Sequence, residues 1–302
     1  MANCSPGSPE ASLEEGTAAP YNEIMRFFRS CLGVLLLWLW ISPATLFALQ
    51  SRWPSPKEKG AYQVRIAATG KILWEVAWET TVTEDQGVRR VEVHEQGHGQ
   101  PLRYKESVSW KKRMIFRTSS DPSTAPVQFQ SVEGSRWNRD GKLISQMDIQ
   151  ADPARQRIIY KDSEIGKISQ SAVFPWGPQI LPDELLFHWA RTLPFESLAV
   201  RPEPTEGRTE ECLLMISPTQ RVRMRAELAG TERITTPAGT FSCYRVNLAP
   251  RMFGPLSRLA PKMSLWCTKD LPHYWVRYQG PVGGPGSPQA IIELVEFKEE
   301  GR

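Results

Sequence analysis

The chain has 302 residues, of which 40% are hydrophobic and 23% charged, with 37 Lys plus Arg against 33 Asp plus Glu. Such a chain, with 11 Trp, buries enough apolar surface to offset the entropy of ordering, which excludes intrinsic disorder of the whole. Its 25 Pro and 21 Gly are spread along the whole length, and because Pro interrupts the helical ladder, a helical bundle or coiled coil is excluded as well.

Residues 1–24 carry Glu10, Glu14, Glu15 and Glu23 among Ser, Pro and Ala, and are predicted to be a disordered leader; Met25 is a better start, since it opens directly onto a basic and then apolar segment. Residues 31–41 are an unbroken apolar run, preceded by Arg26 and Arg29 and followed by Ser42, Pro43, Ala44 and Ala48. A basic n-region, an apolar h-region and small residues at a cleavage site are the parts of a signal peptide, assigned to 25–48. A membrane span needs about 20 apolar residues. This run reaches that length only by including Ser42, Pro43 and 45–49, so cleavage is expected over retention as an anchor. Cys31 precedes the h-region and is not placed for lipidation. Cleavage leaves 35 basic against 29 acidic side chains, a mildly basic exported domain with no role on nucleic acid. The Pro, Lys and Glu of 49–60 predict a linker, and 61–302 a single β-rich domain.

Alternating segments separated by turn residues predict antiparallel strands at 62–68, 71–83, 88–98, 103–118, 126–135, 143–150, 155–162 and 167–174. Trp74 and Trp78 are candidates for an aromatic ligand-binding wall. His94-Glu95-Gln96-Gly97-His98 spells H-E-x-x-H, a zinc-protease signature that requires a helix to bring both imidazoles to one ion. A strand pattern precedes it and Gly97, Gly99 and Pro101 punctuate it, so a strand end is expected and no metal. The run Trp110-Lys111-Lys112-Arg113 is a weak basic patch.

Residues 182–191 break the alternation. Pro182 opens the segment, Asp183 and Glu184 suit a helix N-terminus, and Leu185, Leu186, Trp189 and Leu193 share a stripe, which predicts one short amphipathic helix. Further strands are predicted at 212–217, 220–229, 231–235, 240–248, 262–269, 273–278 and 290–297. Within them Arg221, Arg223 and Arg225 alternate with apolar residues, giving either a solvated face or a patch for lipid phosphates. Cys212, Cys243 and Cys267 remain after cleavage, an odd number in an oxidising compartment. A symmetric hairpin centred on Pro255 would place Cys243 opposite Cys267, within reach of a disulfide. The same hairpin tip holds Met252, Phe253, Leu256 and Leu259, which either fold back or meet a partner or membrane. No catalytic motif or cofactor fingerprint occurs, so neither an enzyme nor a bound cofactor is expected.

The stretch Thr235-Thr236-Pro237-Ala238-Gly239-Thr240-Phe241, with Tyr244 and Val246 beyond it, resembles the hairpin of an exported bacterial family, domain of unknown function 3108. Leu265-Trp266-Cys267 and Pro272-His273-Tyr274-Trp275 fit its Trp strand and its Pro-aromatic strand. The resemblance implies a β-rich periplasmic or cell-envelope protein without assigned activity. The fold expected is mainly β: a large curved antiparallel sheet or incomplete barrel with one helix against its concave side. Trp74, Trp78, Trp266 and Tyr274 would line that side for an acyl chain or lipid. The alternative is an envelope assembly protein acting through protein contacts at 249–261, and the last a metalloprotease using His94, Glu95 and His98.

Overall fold

Alternation along the chain produces fifteen strands, seen in a computed structural model that describes residues 57–300 apart from 87, 103, 120–126, 168, 178, 196–197, 199–208, 252–260, 262 and 283–286. The first half supplies β1 (Lys57–Ile66), β2 (Ile72–Asp85), β3 (Val88–Gly99), β4 (Val108–Ser119), β5 (Gln128–Trp137), β6 (Leu143–Asp152), β7 (Arg157–Glu164) and β8 (Gln170–Pro175). A short β9 (Ile180–Pro182), a 3-10 turn (Asp183–Leu185) and helix α1 (Leu186–Arg191) come next. The second half is β10 (Thr209–Ser217), β11 (Gln220–Thr236), β12 (Gly239–Pro250), β13 (Met263–Thr268), β14 (Trp275–Pro281) and β15 (Gln289–Glu300). Leader and signal segments lie outside the described residues, as does the apolar loop Met252, Phe253, Leu256 and Leu259.

All fifteen strands form one sheet, ordered β8 down to β1, then β15 down to β9. Sequence neighbours other than β8 and β9 pair antiparallel within β1–β8 and β10–β15, as expected for an up-and-down meander. Two pairings lie outside that rule: β1 joins β15 antiparallel, and β9 runs parallel to β10. The first and last strands are therefore central, and the sheet grows outward from them to two edges, β8 and β9, which are consecutive in sequence. A sheet this wide must curl or split. It curls: the Arg221 guanidinium of β11 lies 5.3 Å over the Phe174 ring of β8, and one apolar core draws on both halves.

Residues 180–195, here termed the plug, enter the space the curl encloses. Leu181, Leu185, Trp189, Ala190, Leu193 and Phe195 are all buried, and Phe195 stacks on Tyr244 of β12 with ring centroids 4.7 Å apart. The predicted stripe is too narrow a description. His188 and Arg191 are buried as well, while Leu186 and Phe187 are only partly so, and burial extends beyond the predicted stripe. That is what a helix inside a curled sheet requires.

Three other expectations need correction. The stretch read as linker ends early, because β1 starts at Lys57 and Glu58 is fully buried. Residues 220–236 form one strand, bent by a bulge between Leu228 and Gly230. Cys243 and Cys267 are not bridged. The β12–β13 register pairs Cys243 with Thr268 and Cys267 with Tyr244, one residue away from the symmetric arrangement, and a slip of one turns the two cysteines to opposite faces. Cys212, Cys243 and Cys267 are free and buried, and burial pushes the Cys212 and Cys243 thiols up to about 12.

The β11–β12 hairpin behaves as its residues require. Gly239 takes φ 136°, open to glycine and strained for other residues. The turn reaches β15, where the Ala238 N–H donates to the Leu294 carbonyl at 3.3 Å, and the Thr235 carbonyl accepts from Arg277 of β14.

Candidate functional site

The plug carries acid at its start and base at its end, the order favoured by the helix dipole. Each end meets an opposite charge from the inner face of the sheet. At the end of α1, Arg191 pairs with Glu58 of β1 through three contacts of 3.3–3.4 Å, both side chains nearly inaccessible. The guanidinium also sits 5.0 Å over the Tyr274 ring. Burial drives the Glu58 carboxyl above its usual range, and Arg191 only partly offsets this.

At the start of the plug, Lys112 of β4 lies 3.7 Å from Glu184, and register puts Lys112 beside Glu95 of β3 on the inner face. Burial and the neighbouring Glu184 hold the Asp183 carboxyl well above its usual value. Burial also acts to raise Glu184, but Lys112 and the hydrogen bond from Asp183 outweigh it and the value falls. The proton is therefore held more tightly on Asp183 than on Glu184. Between the ends, His188 packs against Phe116 at 5.5 Å and burial lowers it from 6.5 to about 3, so it is a neutral core residue.

An aromatic wall stands around the Arg191 end. Tyr62 stacks on Trp275 at 3.7 Å and on Trp78 at 6.0 Å, Phe187 of α1 stacks on Trp275 at 4.5 Å, and Phe297 bridges Trp78 to Tyr274. The Trp78 ring lies over Gly60, where any Cβ would stand 2.6 Å from the Glu296 carbonyl oxygen and 2.9 Å from the indole. Trp78 Nε1 and Thr80 Oγ1 are buried beside this wall without a hydrogen-bond partner among the described residues.

Of the four aromatics predicted to line the concave side, the structure brings together two, Trp78 and Tyr274. Trp266 is excluded from the wall: it pairs with Arg245 and Arg277 on the opposite face and donates to Glu232 at 2.6 Å. Trp74 packs in a satellite cluster with Val64, Leu73 and Ala290 at one end of β1 and β2. Tyr62, Phe187, Trp275 and Phe297 were missed, although the alternation of β1 and the Pro-aromatic strand pointed towards two of them.

The remaining candidates are plainly placed. His94 and His98 lie on strand β3 and are exposed, with His94 2.8 Å from Glu92 Oε1, so the helical geometry a zinc site needs is absent there. No group of three or more His, Cys, Asp or Glu among the described residues could hold a metal ion. Arg221, Arg223 and Arg225 are exposed on one face of β11 as expected, but each is engaged: Arg221 with Phe174, Arg223 with Glu211 at 3.8 Å, Arg225 with Glu227 at 3.4 Å. The basic run splits, Trp110 and Lys112 turning inward, Lys111 and Arg113 outward. No described helix is long and apolar enough to cross a membrane.

These features define a class: a curled, open antiparallel sheet, barrel-like, with its own plug inside. No family model matches the chain, and no curated protein matches it. Among solved structures it is similar to a β-barrel-like protein of domain of unknown function 1849 from Brucella abortus, with 7% identity, TM-score 0.46, and coverage of 82% of this chain and 99% of that one. It is also similar to a candidate lipoprotein from Parabacteroides distasonis, with 13% identity, TM-score 0.34, and 83% and 98% coverage. A candidate exported protein with a YmcC-like fold from Bacteroides fragilis gives 13% identity, TM-score 0.35, and 83% and 100% coverage.

Proposed function

We propose that the chain is an exported, non-catalytic binding module of the bacterial cell envelope that works through its outer surface. The observation that carries this reading is the plug. Residues 180–195 occupy the concave side that an acyl chain would need, and they are fixed there at both ends by charge and throughout by buried Leu181, Leu185, Trp189, Leu193 and Phe195. Export rests on the basic, apolar and small-residue order of 25–48. The non-catalytic part is supported by the strand geometry of His94 and His98 and by charged interior groups that are committed to holding the plug.

The acyl-carrier reading keeps one observation in its favour, the aromatic wall of Tyr62, Trp78, Tyr274 and Trp275. Native mass spectrometry of protein purified from an envelope fraction separates the two. The outer-surface reading expects the bare polypeptide mass. A stoichiometric amphiphile adduct, lost in Trp78→Ala, would overturn it in favour of the carrier.

A further inference from the structure

We infer that the outer face of β1–β5 carries a saccharide-binding groove ending on Trp137, an inference that rests on the outer-surface reading and gives it a ligand class. The concavity has a volume of about 370 Å³, within the range of small-molecule sites. It runs across strands. Register builds it from two rows of outward-facing side chains: Ala61, Ala77, Gln96 and Lys111 in one, Glu75, His98, Ser109 and Trp137 in the other. Small residues at Ala61, Ala77 and Ser109 leave the depression, and the larger polar side chains and the indole wall it.

The chemistry of that wall selects the occupant. Gln96 offers an amide, His98 an imidazole, Ser109 a hydroxyl, and Glu75 and Lys111 one charge of each sign, so the groove has many donors and acceptors. The lining also includes the small apolar residues Ala61, Ala77 and Gly97, and one carboxylate set against one ammonium gives no preference for a phosphate. Trp137 is half-buried and stands outside both apolar clusters of the described residues. A flat apolar ring at the end of a row of hydrogen-bonding groups matches a pyranose, which has an apolar C–H face and a rim of hydroxyls. His98 and Lys111, which no other role absorbs, gain one here.

Isothermal titration calorimetry of the full chain with maltotriose, cellotriose and triacetylchitotriose tests this. At least one should bind with a Kd of about 1 mM or tighter. Trp137→Ala and Gln96→Ala should each weaken that binding at least ~10-fold with the melting temperature unchanged, while Val173→Ser, on the distant edge strand, leaves it intact. No heat with any of the three, binding indifferent to both groove variants, or displacement by inorganic phosphate would overturn the inference. A lipid-loaded native mass with saccharide binding retained would overturn the outer-surface reading of the interior alone; a bare mass without saccharide binding would overturn only the groove.

Discussion

The two ends of the plug use the same interaction and differ in solvent. Arg191 and Glu58 are 3% and 0% exposed, whereas Lys112 and Glu184 keep 24% and 11%. A buried pair attracts strongly but has given up hydration, so what it secures is geometry: losing one partner strands a charge, while losing both does not. A partly hydrated pair can lose a partner and let water replace it. The Arg191 end is therefore the fixed point of the plug, and the Asp183–Glu184 end the adjustable one.

The largest effect should come from the fixed end. Arg191→Met should cost about 3–5 kcal/mol in urea denaturation, and the double variant Arg191→Met with Glu58→Leu should recover much of that loss. Equal costs for single and double variants would mean the pair is not coupled. At the adjustable end, Lys112→Met should cost only about 1 kcal/mol. A larger loss there would erase the contrast.

The pH dependence sharpens the same comparison. His188 is depressed on folding, so its contribution is complete above about 6.5 and is lost as pH falls towards about 3. His188→Asn should flatten the acid limb of a stability profile. Asp183 is raised on folding, so its contribution is complete below the ordinary carboxylate value and is lost as pH rises through its higher folded value. Glu58 titrates in the same sense. Asp183→Asn should flatten the rising-pH limb without touching the acid one. The smallest effect belongs to the sheet edge: Arg221→Ala removes an exposed cation–π contact worth about 0.5–1 kcal/mol.

Most of this fold was legible in alternation and turn chemistry. Thirteen of the observed strands overlap segments expected from the sequence one for one, β11 joins two of them, and Pro182-Asp183-Glu184 marked the helix start. What escaped was long-range. Nothing local says that β1 pairs with β15, and the three-residue β9 is too short for a period. Lys57-Glu58-Lys59-Gly60 looks solvated because a carboxylate is buried only when a distant cation meets it, and Arg191 is 133 residues away. The cysteine pairing failed on a single step of register. Trp78 and Tyr274 face inward, whereas Trp266 faces outward because it pairs with Arg245, between Leu265 and Cys267 of the inner face. The groove was invisible because its walls come from five strands and are joined only by register.

Hydrogen exchange at the plug tests the central claim most directly. Thr192, Leu193 and Phe195 amides donate to Trp189, Ala190 and Leu193 carbonyls inside the sheet. Their protection should match that of β4, reaching the free energy of global unfolding. Fast exchange of these amides while β4 stays protected would show that the plug leaves a folded sheet, and the interior would then be a binding chamber instead of a filled core.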